Sequence, residues 1–476
     1  MGGGGPAPCT PEPQVRQVNG KKRRERRKEE AGKKEDRAKE EEVICGPFIH
    51  LPDTTKPIIP QKTPSPGEDM ASPLSPEDHW TPKPAPAKPL TDLDFRSGER
   101  IEELNQLIQE YEARNLGTIR DAPELHQARD HVFSLLGLVH KSDRKLPQVN
   151  QYLILSGGVQ DGTVNINLGH LDPLSPGSDY DAAFTLLVPV LNAAGVPVTL
   201  DMKQSPPGHT RFSLRPFEVK TSGLWSECCL GNEDDLAADR VAEWFFHAFA
   251  TCVKDERVEK RGCITSVIVS ARSLRILYDI IPVVALKGWP EVARPWLTQA
   301  HFWDGKLKDE DVAGGFYLLP SSGADWRLAF SVSELHLRQI LPLPLAWAFR
   351  ATVAILGCGR PLKGVGPYHL FTLALWSCER LPSSYLSREE NAAHAMLGLL
   401  DHLLASLVER RLPSYFLPEW NLLEGLSRQA LGSLAHEVAH ARAQPSQYLR
   451  QAVEKAKETK RLTKAFRDQN SASVAP

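Results

Sequence analysis

Apolar positions change their period along this chain, and each change marks an element. Ile101, Leu104, Leu107, Ile108 and Tyr111 recur at helical spacing in SGERIEELNQLIQEYEARN, with Ser97 placed to cap the helix. A second stripe, Val132, Leu135, Leu136 and Val139, predicts a helix from His126 to His140. QYLILSGG then reads as a strand ending in Ser156, Gly157 and Gly158. From 182 to 200 come 19 residues without a charge, near the length of ~20 residues that a bilayer span needs. Pro189, Asn192, Gly195 and Pro197 break that run, so VPVLNAAGVPV predicts strand, turn and strand, a buried hairpin rather than a membrane span.

Downstream the pattern turns amphipathic again in DLAADRVAEWFFHAFATCV (235–253), a predicted helix. CITSVIVS and LRILYDIIPVVAL (263–286) read as two antiparallel strands, and 315–319 and 326–330 as short ones. After Ser331 every apolar pattern is helical, from LAWAFRATVAIL to SQYLRQAVEKAKETKRL. Residues 1–89 have no such periodicity: KKRRERRK at 21–28 is a basic block, and 47–89 is proline-rich. That composition cannot bury enough apolar surface to offset chain entropy, so a disordered charged tail is expected there. The chain is thus expected to be α+β, with a tail at 1–89, a mixed, twisted sheet and flanking helices at 90–332, a helical lobe at 333–468 and a loose end at 469–476.

Composition adds limits. An apolar fraction of 41% suits a folded protein with a disordered part, and a net charge of −2 leaves nucleic-acid binding only to the basic block of the tail. Eight scattered cysteines without C-x-x-C spacing point to reduced intracellular thiols, and MGGGGPAPCTPEP lacks the apolar core of a signal peptide. The expected setting is cytoplasmic, or nuclear through KKRRERRK, with membrane association only by way of a partner.

The candidate chemistry begins at SDYD. Asp179 and Asp181 leave an extended strand on one face, and two carboxylates that close repel unless a cation lies between them. A D-x-D pair alone is more often a solvated strand end. A third acid on a neighbouring strand would turn it into a metal site, and Asp279 in LYDIIPVVAL is the candidate. The tryptophans from Trp225 to Trp376 read as core, and His436 and His440, four apart on a predicted helix, are not assigned to a metal.

Eight blocks in order carry a resemblance across roughly residues 90–465: LILSGGVQDG, SDYDAAFTLLVP, YDIIPVVALKGWP, GFYLLP, WRLAFSVSE, YHLFTLALWSCE, LPSYFLPEWNLL and SQYLRQAVEKAK. The chain resembles the Mab-21 family, in the nucleotidyltransferase-fold superfamily that includes cyclic GMP-AMP synthase. The resemblance implies a two-lobed nucleotidyltransferase fold, with Asp179, Asp181 and Asp279 as metal ligands for Mg²⁺ or Mn²⁺ and as catalytic acids if the chain is active. It assigns nucleotide binding to Ser156, Gly157, Gly158 and Arg327; the alternative for Arg327 is an ion pair at a strand end.

Departures from the pattern point away from turnover. Gly158 stands where active members keep a serine, and Pro173 and Pro176 lie in the long loop before Asp179. Residues 332–366 hold only His336 and Cys358, so the synthase's zinc thumb cannot form and no zinc is expected. The expected function is a catalytically silent adaptor or ligand sensor in intracellular signalling, in a branch tied to cytokine receptors and apoptosis, with protein partners and a nucleotide as the candidate ligand. The alternative is an active metal-dependent nucleotidyltransferase that makes a nucleotide messenger.

Overall fold

The computed structural model describes residues 101–115, 123–148, 154–156, 180, 182–192, 200–202, 205–214, 223–230, 235–254, 256–271, 274–358, 364–454 and 457. The tail at 1–89, its basic block and the end at 469–476 lie outside the described residues. The elements are α1 (Ile101–Asn115), α2 (Pro123–Ser142), β1 (Ile154–Ser156), β2 (Ala182–Asn192), β3 (Leu200–Asp201), β4 (His209–Phe212), α3 (Ala238–Cys252), β5 (Val258–Arg261), β6 (Ile264–Ala271), β7 (Leu274–Lys287), β8 (Gly315–Pro320) and β9 (Trp326–Ala329). Five longer helices follow: α4 (Ser331–Gln339), α5 (Leu343–Cys358), α6 (Pro367–Arg380), α7 (Ala392–Glu409) and α8 (Arg428–Ala443). Residues 445–454 are helical as well.

The sheet is mixed, as expected, and β7 is its axis. Along one edge β7 pairs in parallel with β2, from Ile276 against Ala182 to Ala285 against Asn192. Along the other edge its first half pairs antiparallel with β6 and its last four residues with β8. The strand order β1-β2-β7-β8-β9-β4-β3 continues from there, with β5 beyond β6. A parallel neighbour needs a long crossover, and here it comprises everything from β3 to β6.

β2 covers the first strand of the expected hairpin and ends at Asn192, where its turn was expected; 193–199 lie outside the described residues. β2 runs unbroken through Pro189, where the register slips by one residue between Pro189 and Leu191. A bulge accommodates a residue that cannot donate to the ladder. β3 pairs with β4 in an antiparallel ladder.

The two faces of the sheet differ. Phe184, Tyr278, Val267 and Val269 lie on the face packed under α2 and α3, and Phe184 and Tyr278 stack at 5.5 Å. Phe245 and Phe249 of α3 and Val132, Leu136 and Val139 of α2 are fully buried. Burying each such side chain contributes about 1.5–3 kcal/mol, which is why these stripes are so continuous. On the opposite face Thr185, Ile268, Asp279 and Ile281 remain half-buried and Arg275 is exposed.

Beyond the sheet, α7 is the centre of a helical layer. Met396, Leu399, Leu400, Leu403 and Leu407 are buried along it, and α5, α6 and α8 pack around them. α1 joins this layer from the far end of the sequence. Its Leu104, Ile108 and Tyr111 are buried, and it packs on α5 and α7. Asn105 clamps the start of α7, accepting from the Ala393 N–H at 2.7 Å and donating to the Glu390 carbonyl at 2.6 Å. An aromatic cluster links the sheet to these helices: Trp289 and Trp296 after β7 and Phe330 after β9 meet Tyr415 and Phe416, with ring centroids 4.7–5.4 Å apart.

Candidate functional site

The half-open face of the sheet carries a row of polar residues at one level. Thr185 of β2 stands opposite Asp279 of β7, and Asp279 stands opposite Ser266 of β6. Directly opposed residues share a face, so Thr185, Asp279 and Ser266 form one line across three strands. Beyond β2, Ser156 of β1 is the register partner of Thr185.

Asp279 sits mid-strand among Ile280, Ile281 and Val283, where a carboxylate is costly unless it is hydrogen-bonded. Ser266 supplies that bond: its Oγ donates to Asp279 Oδ1 at 2.6 Å, and Ser266 is itself 2% exposed. A carboxylate has two oxygens, so one serine orients the group and leaves it further acceptor capacity. A carboxylate beside a hydroxyl is a hard oxygen donor set, which suits Mg²⁺ or Mn²⁺ better than a thiophilic metal.

Of the residues assigned from the sequence, Asp279 lies on the strand beside β2, which begins directly after Asp181. Asp179, Asp181, Gly157 and Gly158 lie outside the described residues. Ser156 ends β1 at the level of Asp279. Among the described residues no three His, Cys, Asp or Glu side chains gather around a common point.

Arg327 of β9 pairs with Leu319 of β8 and His209 of β4 and is exposed. Val284, Leu318 and Leu328 are in register across β7, β8 and β9, so Arg327 and Asp279 both fall on the face opposite to them. Arg327 is two strands across from Asp279 and four residues along, about 10 Å and about 13 Å at ordinary strand spacings. Its charge is felt by the Tyr368 hydroxyl of α6, as is that of Glu334 of α4. Tyr368 is 38% exposed as a residue, but burial around its hydroxyl and then the Glu334 carboxylate hold the proton there, and the Arg327 guanidinium opposes them. Arg327 and Glu334 thus act on Tyr368 with opposite sign, and Arg327 faces the same side as Asp279.

Sequence reasoning missed Thr185 and Ser266. A single hydroxyl inside FTLLV or ITSVIV looks like strand filler, and only register shows that two of them flank the aspartate. It also missed a second polar centre within the aromatic cluster. The His301 ring stacks on Trp296 with centroids 3.8 Å apart. Its Nδ1 meets Glu379 Oε1 at 3.1 Å and its Nε2 meets the Trp296 carbonyl at 2.8 Å. Tyr415 also donates to Glu379, and so does the Phe302 N–H, at 3.2 Å. Burial pulls the His301 pKa down, but the bonds to Glu379 and the Trp296 carbonyl outweigh it and the net shift is upward. With both ring nitrogens facing acceptors, the geometry suits an imidazolium. One residue further along α6, Arg380 donates to His402 Nε2 at 3.0 Å; burial and then that positive charge bring the His402 pKa down to about 4.

No single described helix is long and apolar enough to cross a bilayer; α4 and α5 meet that test only together, and a bend of 118° separates them. His336, in the segment where a zinc thumb would lie, bonds through Nδ1 to the Asp311 carbonyl at 2.9 Å.

Comparison with known proteins agrees with this architecture. Residues 181–338 match the family domain described as the Mab-21 protein nucleotidyltransferase domain, and residues 359–440 match the Mab-21 protein HhH/H2TH-like domain. Transmembrane protein 102 of Bos taurus is 32% identical over 499 residues, covering 79% of this chain and 95% of that protein. The Mus musculus protein of the same name is 33% identical over 496 residues, covering 79% and 94%. Protein mab-21-like 3 of Danio rerio is 25% identical over 260 residues, covering 51% of this chain and 65% of that protein. With the mixed sheet of the first domain, the helical layer of the second and relatives matched over nearly their whole length, this chain belongs to the Mab-21 family.

Proposed function

We propose that this chain is a catalytically silent nucleotidyltransferase-fold protein that senses a phosphate-bearing nucleotide on the half-open sheet face and signals through protein partners inside the cell. One observation carries the reading: Asp279 stands on that face in a row of hydroxyl residues, oriented by Ser266 at 2.6 Å. An oriented carboxylate among hydroxyls can hold a hydrated divalent ion without further machinery. Asp279, with Asp179 and Asp181 if they reach it, would hold Mg²⁺ or Mn²⁺, and the ion would neutralise phosphate charge. Arg327, on the same face, would take the far end of a nucleotide. Gly158 in place of a serine favours binding without turnover.

The second reading is an active nucleotidyltransferase. It is favoured by the adjacency of β2, which directly follows the D-x-D pair, to the strand that carries Asp279. One experiment separates the two. The full chain is incubated with the four nucleoside triphosphates and Mg²⁺ or Mn²⁺, thermal unfolding is followed, and the mixture is analysed by mass spectrometry. Sensing predicts a rise in Tm that Asp279→Asn removes, with no new nucleotide. A new product that Asp279→Asn abolishes would establish the second reading, and neither a shift nor a product would overturn both. The proposed setting is the cytoplasm or nucleus, with the basic block at 21–28 as the import signal and any membrane contact made by a partner.

A further inference from the structure

α8 carries His436-Glu437-Val438-Ala439-His440. The order is H-E-x-x-H, the spacing by which zinc hydrolases set two imidazoles one helical turn apart with a carboxylate between them. The pair was set aside on the sequence. The structure restores it, because the two side chains converge instead of splaying. Nε2 of His436 and Nε2 of His440 lie 3.0 Å apart, with ring centroids 4.4 Å apart and ring planes at 89°. Two ligands at 2.0–2.1 Å from one ion subtend about 2.9 Å at a right angle and about 3.4 Å at the tetrahedral angle. The observed separation falls in that interval.

The backbone beneath the pair is rigid. Leu431, Leu434, Ala435, Val438 and Ala439 bury the opposite face of α8. Ser427 caps its start by accepting from the Ala430 N–H at 3.1 Å, and Arg442 pins its end to Asp401 of α7 at 2.7 Å. Both histidines are exposed, so an ion reaches them without any opening of the fold. Glu437, half-buried, precedes His440 by three residues and is its neighbour on the helix surface.

We propose that His436 and His440 bind a late transition-metal dication of the Zn²⁺, Ni²⁺ or Cu²⁺ class through their Nε2 atoms. Imidazole pairs suit these ions and not Mg²⁺ or Ca²⁺. Among the described residues no third His, Cys, Asp or Glu joins the pair, so water fills the remaining positions and Glu437 stands ready to accept from one such water. This site is separate from the Asp279 face and from the segment where a zinc thumb was excluded, and it does not depend on the function proposed above.

The test uses the full chain, reduced, at pH 7.5. Calorimetric titration with Zn²⁺ is run on wild type, His436→Gln, His440→Gln and Glu437→Gln, with metal-free thermal unfolding as the control for folding. Losing one of two convergent imidazoles removes the chelate advantage, so each histidine variant should lose one site or bind it at least ~10-fold more weakly. Glu437→Gln should keep that site, and all metal-free melting temperatures should match. Electron paramagnetic resonance of the chain loaded with one equivalent of Cu²⁺ counts nitrogens independently of stability: two imidazoles in wild type and at most one in either histidine variant. Wild-type titrations in both histidine variants, or unchanged Cu²⁺ spectra, would overturn the site.

Discussion

Replacing Arg350 by methionine tests how α1 is held to the helical layer. Arg350 of α5 reaches Glu112 of α1 through Nε at 2.8 and 3.1 Å and through Nη2 at 2.7 Å, a two-pronged grip on one carboxylate. The two side chains are 11% and 4% exposed, so neither charge keeps much water. Opposite charges about 4 Å apart attract by about 4 kcal/mol at an effective dielectric of 20. Desolvation costs several kcal/mol per ion, so the intact pair comes out near neutral. Half a pair is different: methionine keeps most of the stem but leaves Glu112 buried and unanswered, and the expected loss is about 3–5 kcal/mol.

The pH dependence of that loss follows from Glu112. Burial raises its pKa above the ordinary carboxylate value, and the hydrogen bonds and charge of Arg350 work against that rise. Arg350→Met deletes only the lowering contributions, so Glu112 must titrate higher still in the variant. A folded pKa above the unfolded one stabilises the folded state as pH falls through it, so the deficit should shrink from pH 7.5 toward pH 5. Urea unfolding across that range measures both effects. Combining Glu112→Leu with Arg350→Met should return most of the lost stability. A single-variant loss under about 1 kcal/mol, or a deficit that does not change with pH, would refute the reasoning.

Three further outcomes are expected. Gly208 has φ +73°, and an added Cβ would run into the Trp420 ring; Gly208→Ala should therefore cost at least ~1–3 kcal/mol in urea unfolding, loosening the Trp420 loop from the start of β4. His301 and His402 should shape opposite limbs of the stability–pH curve. The raised His301 pKa gives stability that is present below its ordinary value of about 6.5 and lost as pH climbs through the raised one, so His301→Gln should flatten the alkaline limb. The His402 pKa of about 4 gives stability that is lost as pH falls from about 6.5 toward it, so His402→Gln should flatten the acid limb. Asp279→Asn should leave free-protein stability within about 1 kcal/mol of wild type, because an amide oxygen still accepts from Ser266; a larger loss would make Asp279 a structural residue.

Period was the most legible feature of the sequence, and register the least. The stripes of α1, α2 and α3 and the β6–β7 pair follow from local spacing, because each buries one continuous face. The extent of β2 was legible, because the strand ends at Asn192, where the turn signals begin. Pro189 lies beyond the last β2 residue that pairs with β1, and a bulge absorbs its missing N–H, so the strand runs on. Its parallel partner β7 lies some 90 residues downstream, and nothing local announces it. The same limit hid Thr185 and Ser266, whose meaning depends on standing opposite Asp279. Asp279 itself was found because an acid inside LYDIIPVVAL breaks an otherwise apolar strand.

Why the acid survives in that strand is a matter of faces. On the α2–α3 side of β7 the neighbouring positions, Tyr278 and Ile280, are buried, and a carboxylate there would meet only apolar side chains. One residue along, the side chain points to the half-open face, where Ser266 answers it and water is near. A one-residue slip of β7 would drive Asp279 into the core and bring Tyr278 out, so the aspartate also opposes misregister of the central strand. Apolar burial on both faces drives folding, and the polar row opposes a slipped register. A ligand bound on that row would therefore add little strain, since packing on the other side already holds the geometry.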